Sequence, residues 1–132
     1  MSSILEDCIF CKKINYKVLK ETNYFFIIRD TAYPVTEHHT LIITKRHVSD
    51  FFELSDEETK EFNQLLKDQK KELENIDNKI TGFNVGVNVG KDAGQSIMHC
   101  HIHLIPRRKG DVEDPRGGVR GVIPERQKYK RK

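Results

Sequence analysis

Four short segments of the chain have the residue pattern of β-strands. They are, in chain order, YFFIIRD (24–30), HTLIITKRH (39–47), GFNVGVNVG (82–90) and HCHIHLIPR (99–107). The first two are rich in β-branched and aromatic residues and are separated by a turn around Pro34. The last two alternate apolar with small or polar residues, and the final alternation stops at Pro106. The pattern therefore predicts a strand in each segment.

The segment SDEETKEFNQLLKDQKKELENID (55–77) has a helical period instead. Ser55 followed by Glu58 is a capping-box sequence. Apolar residues then recur at helical spacing, namely Phe62, Leu65, Leu66, Leu73 and Ile76. A short helix is expected near SDFFEL (49–54). Together with the strands, these helices predict an α+β fold.

At 132 residues the chain has the length of one domain. Its longest apolar run falls far short of the roughly 20 residues that a membrane helix requires. Its N-terminus carries acidic residues where a signal peptide would have its charged and apolar blocks. The sequence therefore predicts a cytoplasmic protein that does not enter a membrane.

Positive charge is concentrated at the C-terminus. The formal net charge is +3, yet residues 107–132 contain ten Lys and Arg against four Asp and Glu, a net of +6. Such a segment can meet phosphate or an anionic partner, or it can be a solvated tail. Nucleic acid is not the expected partner, because Tyr129 is the only aromatic residue among these cations.

The chain has three cysteines, Cys8, Cys11 and Cys100. In a reducing compartment a C-x-x-C pair such as Cys8 and Cys11 more often binds metal or does redox chemistry than forms a structural disulfide. A metal site is therefore one candidate, and a pair of thiols that merely pack is the alternative.

Half of the six histidines lie within five residues, at positions 99, 101 and 103. On a strand, the two-residue period places His99, His101 and His103 on one face and the residues between them on the other. A rise of about 3.3 Å per residue separates His99 from His103 by about 13 Å, too far for both to bind one metal ion. At least one imidazole is therefore left for other chemistry.

A neutral imidazole can act as a general base or as a nucleophile toward phosphorus. The preceding residues Gly94, Gln95 and Ser96 offer backbone N–H groups, an amide and a hydroxyl that can approach phosphate oxygens. These residue types together indicate phosphoryl chemistry.

Four motifs together resemble the histidine triad (HIT) family. QSIMHCHIHLI resembles its signature, HTLIITKRHV its upstream strand, NVGKDAGQS its phosphate-side loop, and CIFCKKI the N-terminus of its zinc-containing bacterial members. The resemblance implies an α+β fold with about five antiparallel strands, one long and one short helix, and a homodimer. A HIT domain over residues 1–108 would then precede a basic Gly-, Pro- and Arg-rich extension over residues 109–132.

By this resemblance the domain would cleave a nucleoside 5′-phosphate bond in a dinucleoside polyphosphate or a nucleoside phosphoramidate, with purine nucleotides accepted. His101 would attack the α-phosphorus and form a covalent nucleotidyl-histidine that water releases. His103 would contact a non-bridging phosphate oxygen, and Ser96 the leaving atom or the phosphate. Three further residues would line the phosphate site: Asn88, Gly94 and Gln95.

The resemblance also implies a ribose contact and a fourth histidine. Asp30 would bind the ribose hydroxyls, and a turn-initiating aspartate is the alternative. His39 would orient the triad. The chain nevertheless has EHH where relatives have a glycine before this histidine, and the stretch from Asp30 to His39 is one residue longer than usual. Whether His38 or His39 faces the site is therefore open.

Zinc-bearing relatives bind the metal through residues that correspond to Cys8, Cys11, His47 and His99. A Cys₂His₂ set forms a closed tetrahedral site with no open position for substrate. The expected cofactor is therefore a structural Zn²⁺ that would join the N-terminal segment to two strands.

The arginines after the triad offer a contact to longer substrates. Arg107, with Arg108, Arg116 and Arg120, could reach the distal phosphates of a polyphosphate, which a guanidinium binds in a bidentate manner. A flexible basic surface is the alternative.

One further function fits the same motifs. A zinc-stabilised nucleotide-binding regulatory module with little turnover would bind a mononucleotide tightly. It would form no covalent intermediate, which distinguishes it from a hydrolase.

Overall fold

The computed structural model describes residues 8–12 and 16–129, and it contains one antiparallel sheet of five strands with a long helix packed on it. The elements are β1 (Lys20–Glu21), β2 (Phe25–Arg29), β3 (Thr40–Thr44), α1 (Asp56–Ile76), β4 (Ile80–Gly86) and β5 (His101–Arg108). A 3₁₀ turn over Phe51–Glu53 stands where a short helix was expected. The strand order is β1-β2-β3-β5-β4, so the last strand inserts between β3 and β4. The predicted α+β fold with a five-stranded antiparallel sheet is confirmed.

Helix α1 begins where the sequence predicts it. The Ser55 hydroxyl accepts a hydrogen bond from the Glu58 N–H, and the Glu58 carboxylate accepts one from the Ser55 N–H, which completes the capping box. Leu65 and Leu73 of the predicted apolar stripe are buried. Ile76, the last residue of the helix, is 55% exposed, so the stripe ends before it.

The two faces of the sheet bury different apolar clusters. The cluster under helix α1 contains Phe25, Ile27, Ile42, Ile102 and Leu65. The cluster on the opposite face lies against the N-terminal segment and contains Phe10, Phe26, Ile28, Leu41 and Ile43. Strands β2 and β3 are therefore buried on both faces, which explains their nearly continuous apolar sequences.

Strand β5 continues past Pro106, where the sequence predicts its end. Pairing with β3 reaches only to Leu104, whereas pairing with β4 extends to Arg108. Beyond Leu104, β5 has a neighbour on one side only, and a residue without an N–H is tolerated at such an edge. Strand β4 ends at Gly86, before the predicted end at Gly90.

The segment after β5 folds back against the edge of the sheet. It forms two 3₁₀ turns, over Gly118–Val122 and Pro124–Arg126. Gly118 lies so close to Asn84 of β4 that a Cβ atom on this glycine would be 3.3 Å from the Asn84 amide nitrogen. The domain boundary predicted after residue 108 falls at the end of β5, and the extension is folded at least to residue 129.

Within residues 8–12 and 16–129, no helix combines the length and the apolar character that crossing a bilayer requires.

The turn between β2 and β3 contains a backbone conformation that is costly for most residues. His38 has a φ of 72°, and it is the only non-glycine residue with a positive φ in the described part of the chain. The resemblance described above implies a glycine at this position, and glycine adopts this conformation without steric cost. The backbone at His38, in the EHH sequence, is therefore locally strained.

We expect His38→Gly to raise the free energy of unfolding by about 0.5–1 kcal/mol, because relief of left-handed strain exceeds the extra chain entropy of glycine. Urea unfolding followed by circular dichroism measures the change. Glu37→Gly is the matched control, since Glu37 has a negative φ and its replacement should be destabilising. Equal destabilisation by both substitutions would contradict the account.

Candidate active site and metal cluster

The histidines of β5 share one face, as the alternation predicts. His101 and His103 lie on the face opposite to the buried Ile102 and Leu104, and the two imidazole centroids are 5.2 Å apart. His99 precedes the strand and is fully buried. The structure therefore places two imidazoles side by side and gives the third a separate environment.

A backbone carbonyl fixes the tautomer of His101. The Nδ1 atom lies 2.7 Å from the carbonyl oxygen of His99. Because a carbonyl can only accept, Nδ1 carries the proton and Nε2 of the neutral ring has a free lone pair. Burial lowers the pKa of His101 below its ordinary value, which favours the neutral ring. The ring of Phe10 packs against the imidazole at a centroid distance of 4.9 Å. His101 thus has the protonation pattern that a nucleophile needs.

His39 sets the opposite tautomer in His103. The backbone N–H of Val35 donates to Nδ1 of His39, so the neutral ring of His39 carries its proton on Nε2. That Nε2 lies 2.9 Å from Nδ1 of His103, which must accept the hydrogen bond. Burial lowers the pKa of His39 and lowers that of His103 to about 4, so both rings are neutral near pH 7. His103 is left with an Nε2–H that can donate to an anionic oxygen.

Of the two histidines in EHH, His39 faces the site. Its side chain is 2% exposed, whereas that of His38 is 29% exposed and lies beside the Glu37 carboxylate. One Asp30 oxygen is 3.8 Å from Nδ1 of His39, and the other accepts a hydrogen bond from the Tyr33 N–H. Asp30 therefore closes the turn that carries His39, and its ribose contact stays a prediction.

The side chain of Gln95 shapes the loop before the triad. It is buried, and its amide bonds only to backbone atoms, those of Gly90, Ser49 and Ile97. Gly94 has a φ of 95°, and its N–H donates to the Lys91 carbonyl. The Gln95 amide and the Gly94 N–H thus hold the loop in place, and their contacts with phosphate stay predictions.

Two other residues of this loop are open to a ligand. Ser96 is exposed, and the half-buried Asn88 lines a cavity together with His103. Within residues 8–12 and 16–129, neither side chain has a hydrogen-bond partner. Their contacts with phosphate stay predictions.

Four side chains converge on one point at the N-terminal side of β5. They are Cys8, Cys11, His47 and His99, and their ligand atoms all lie within 4.8 Å of one another. Sγ of Cys8 is 3.3 Å from Nδ1 of His99, and Nδ1 of His47 is 3.1 Å from the same atom. A tetrahedral zinc with bonds of about 2.0–2.3 Å places its ligand atoms about 3.3–3.8 Å apart. The spacing fits such an ion.

His99 connects this metal cluster to the strand. Its Nε2 lies 2.7 Å from the carbonyl oxygen of Thr44, so Nε2 carries the proton and Nδ1 offers its lone pair to the cluster. Burial lowers the pKa of His99 to about 4. The same residue provides the carbonyl that orients His101, and the metal cluster thus fixes the backbone beside the candidate nucleophile.

Two contributions to the site are not predicted by the sequence. The ring of Phe10 covers His101, and the backbone N–H of Val35 fixes the tautomer of His39. Phe10 lies inside the C-x-x-C segment, which is a weak signal that it packs near the metal cluster. The Val35 contribution is a main-chain atom, and no residue type could have indicated it.

Arg107 is bonded to two neighbouring side chains, and its expected contact with distal phosphates stays a prediction. Its Nε and one terminal nitrogen donate to the two carboxylate oxygens of Asp111, each at 2.8 Å, and the other terminal nitrogen donates to Oδ1 of Asn84. The guanidinium holds the pKa of Asp111 down at about 2. These three hydrogen bonds anchor the start of the C-terminal extension to β4.

Comparison with known proteins identifies the family to which this fold belongs. The family model described as HIT domain matches residues 12–110. An uncharacterised HIT-like protein of Methanocaldococcus jannaschii, MJ0866, is 38% identical over 110 residues, which are 80% of this chain and 83% of that protein. The chain belongs to the HIT family.

Two further relatives bear on the site. Adenosine 5′-monophosphoramidase HNT1 of Saccharomyces cerevisiae is 36% identical over 105 residues, covering 76% of this chain and 63% of that protein. The crystal structure of a Zn-bound histidine triad family protein from Mycobacterium smegmatis superposes with a TM-score of 0.71 at 29% identity, covering 80% of this chain and 78% of that chain. One HIT relative thus holds zinc, the ion that fits the metal cluster here.

We expect the purified protein to contain about one zinc ion per chain, bound by the four cluster residues. Cys11→Ser should lose the ion and lower the melting temperature, because a closed metal site contributes directly to folding. Metal analysis by mass spectrometry and thermal unfolding with and without a chelator measure both effects.

Cys100→Ala is the control, since Cys100 is buried outside the cluster and burial raises its thiol pKa to about 12. This variant should keep its zinc. Metal-free wild-type protein with an unchanged melting temperature would contradict the structural role of the ion.

Proposed function

We propose that the protein hydrolyses a nucleoside 5′-phosphate bond through a covalent nucleotidyl intermediate on His101. The observation that carries the proposal is the pair of opposite tautomers, a free Nε2 lone pair on His101 beside an Nε2–H on His103. A nucleophile and a hydrogen-bond donor this close can act on one phosphoryl group. The similarity to a yeast adenosine 5′-monophosphoramidase supports this class of reaction.

The first step forms one bond and breaks another. Nε2 of His101 attacks the α-phosphorus, and the bond from phosphorus to the leaving nitrogen or oxygen breaks. The leaving atom keeps the electron pair and takes a proton from the Ser96 hydroxyl. His103 donates to a non-bridging oxygen, which stabilises the negative charge of the transition state.

The second step returns the enzyme to its starting state. Water attacks the same phosphorus, and the bond to His101 breaks, with the electron pair returning to Nε2. One proton of the water restores the Ser96 hydroxyl, and the product is a nucleoside monophosphate. Asn88 holds the phosphate during both steps, while Asp30 binds the ribose of a purine nucleotide.

Zinc has no part in these two steps. A Cys₂His₂ site has no open position, so a bound zinc ion supplies structural stabilisation rather than chemistry on the substrate. His99 is the residue through which metal loss would disturb catalysis, because its carbonyl orients His101.

The proposal includes a homodimer. Strand β4 lies at the edge of the sheet, and Val85 on this strand is 42% exposed. Ile76 at the end of the neighbouring helix is 55% exposed. An edge strand flanked by exposed apolar side chains is a surface suited to association with a second copy.

Replacing His101 with Asn should lower kcat for adenosine 5′-phosphoramidate by several orders of magnitude while nucleotide affinity stays nearly unchanged. A nucleophile acts on the transition state rather than on ground-state binding. His103→Ala should cost less, because it removes one hydrogen bond to the phosphate. Steady-state kinetics and titration with adenosine monophosphate measure the two quantities.

His38→Asn is the matched control, since His38 lies outside the site and asparagine tolerates its positive φ. This variant should keep wild-type turnover. Near-normal turnover by His101→Asn would contradict the mechanism. Tight mononucleotide binding by a wild-type protein that shows no turnover would instead favour the regulatory module.

A further inference from the structure

One main-chain donor sets the tautomers of two histidines in succession. The backbone N–H of Val35 donates to Nδ1 of His39 at 3.0 Å, and Nε2 of His39 lies 2.9 Å from Nδ1 of His103. His103 keeps a proton on its Nε2 only while its Nδ1 accepts from His39. The placement of the Val35 N–H therefore decides whether His103 can donate from Nε2.

A carboxylate lies beside the same nitrogen of His39. Oδ2 of Asp30 is 3.8 Å from Nδ1 of His39. An ionised carboxylate only accepts, so it favours a proton on Nδ1, whereas the Val35 N–H requires Nδ1 to be without one. With a proton on Nδ1, Nε2 of His39 would accept from Nδ1 of His103, and Nε2 of His103 would lose its proton. The two arrangements of protons are alternatives, and the position of the Val35 N–H selects between them.

Val35 does not fix its own backbone, because its side chain is 66% exposed. The next residue does. The hydroxyl of the half-buried Thr36 donates to the Pro106 carbonyl at 2.6 Å, and the Thr36 carbonyl accepts from the His39 N–H at 3.1 Å. Thr36 is therefore bonded both to β5 and to the histidine whose tautomer is set.

The sheet makes a partner for the Pro106 carbonyl necessary. Strand β3 pairs with β5 only as far as Leu104, and Pro106 is buried. A buried carbonyl without a partner costs about as much free energy as a lost hydrogen bond. The Thr36 hydroxyl takes the place that a residue of β3 would otherwise have, so this contact belongs to the edge of the sheet.

Two further hydrogen bonds hold the next two residues of the turn between β2 and β3. One Arg108 terminal nitrogen donates to the Glu37 carbonyl at 3.0 Å and to the Asp77 carboxylate at 2.9 Å. The Thr40 hydroxyl donates to the His38 carbonyl at 2.8 Å. The positive φ of His38 persists only where the surrounding contacts enforce it. Residues 36–38 are thus held one after another in a single conformation.

We propose that Thr36 is a positioning residue, whose hydroxyl holds the turn so that the Val35 N–H, and not the Asp30 carboxylate, determines the tautomer of His39. The tautomer of His103 follows from that of His39. The inference rests on the proposed function for its effect on catalysis, since the Nε2–H of His103 is the donor to the phosphate. The tautomers themselves exist without substrate.

The tautomers can be observed directly in substrate-free protein. Nitrogen NMR of isotope-labelled protein distinguishes a protonated ring nitrogen from a bare one. Thr36→Val should move the proton of His39, and that of His103, from Nε2 to Nδ1 in a measurable fraction of molecules. Thr36→Ser keeps the hydroxyl and should retain the wild-type pattern. Thr81→Val is the matched control, because Thr81 is an exposed threonine of β4 away from this turn.

Kinetics test whether Thr36 acts through His103. Thr36→Val should lower kcat for adenosine 5′-phosphoramidate about tenfold and change KM less than about twofold, because a transition-state donor is lost from part of the molecules. In a His103→Ala background the same substitution should change kcat less than about twofold, since the donor is already absent. Equal falls of kcat in the two backgrounds would indicate a general loss of structure and would overturn the proposal.

A second substitution covers the case in which Thr36→Val does not fold. Arg108→Met removes the hydrogen bond to the Glu37 carbonyl and keeps a side chain of similar length. It should shift the same two tautomers, in a smaller fraction of molecules. Circular dichroism shows whether each variant is folded. Wild-type tautomers in folded Thr36→Val, or in Arg108→Met where only that variant folds, would overturn the proposal.

The two readouts separate this proposal from the proposed function. The expected tautomer shift in Thr36→Val, in a protein whose wild type does not hydrolyse adenosine 5′-phosphoramidate, would support the positioning role and refute the hydrolase. Wild-type tautomers in folded Thr36→Val, in a protein whose wild type does hydrolyse it, would refute the positioning role and leave the hydrolase in place.

Discussion

The contact between Nδ1 of His101 and the carbonyl oxygen of His99, at 2.7 Å, determines which nitrogen of the candidate nucleophile is free to react. It depends on the backbone at His99 staying in place. The His99 side chain secures that backbone in two ways, since Nε2 bonds to the Thr44 carbonyl and Nδ1 faces the metal cluster. The cysteines near the N-terminus are thereby linked to chemistry at the middle of the sheet.

The site stays uncharged in spite of its many imidazoles. Burial lowers the pKa of His39, His99, His101 and His103, so the neutral rings persist around pH 7. A buried neutral imidazole still needs partners for its ring nitrogens. In the described part of the chain, no buried side-chain nitrogen or oxygen lacks a partner. All of these rings are imidazoles, so the hydrogen-bond partners of each ring determine which nitrogen carries the proton.

The sequence predicts the elements whose signals are local. The capping box places the start of α1, and the two-residue period of HCHIHLIPR puts His101 and His103 on one face. Pro106 wrongly predicts the end of β5. A proline is tolerated there because β3 no longer pairs with β5 beyond Leu104. The resemblance to zinc-bearing HIT proteins names the same four residues that the structure brings together in the metal cluster.

Other parts of the site depend on contacts between distant segments, which a single sequence does not display. Gln95 looks like a phosphate ligand, yet its amide meets the backbone of three other residues. The Arg107 guanidinium donates hydrogen bonds to Asp111 and Asn84, and the sequence alone does not indicate these partners. The C-terminal extension also returns to β4, where Gly118 lies beside Asn84, and no residue pattern indicates that return.

The residue that carries the nucleotide during turnover decides whether His101 is the nucleophile. Wild-type protein is mixed with excess adenosine 5′-phosphoramidate and quenched without acid, because a phosphorus–nitrogen bond is acid-labile. Intact-mass measurement and peptide mapping then locate the adduct. We expect an adenosine monophosphate adduct on the peptide that contains His101, assigned by fragmentation to that residue. An adduct on His99 or His103, or active turnover with no adduct on any histidine, would contradict it.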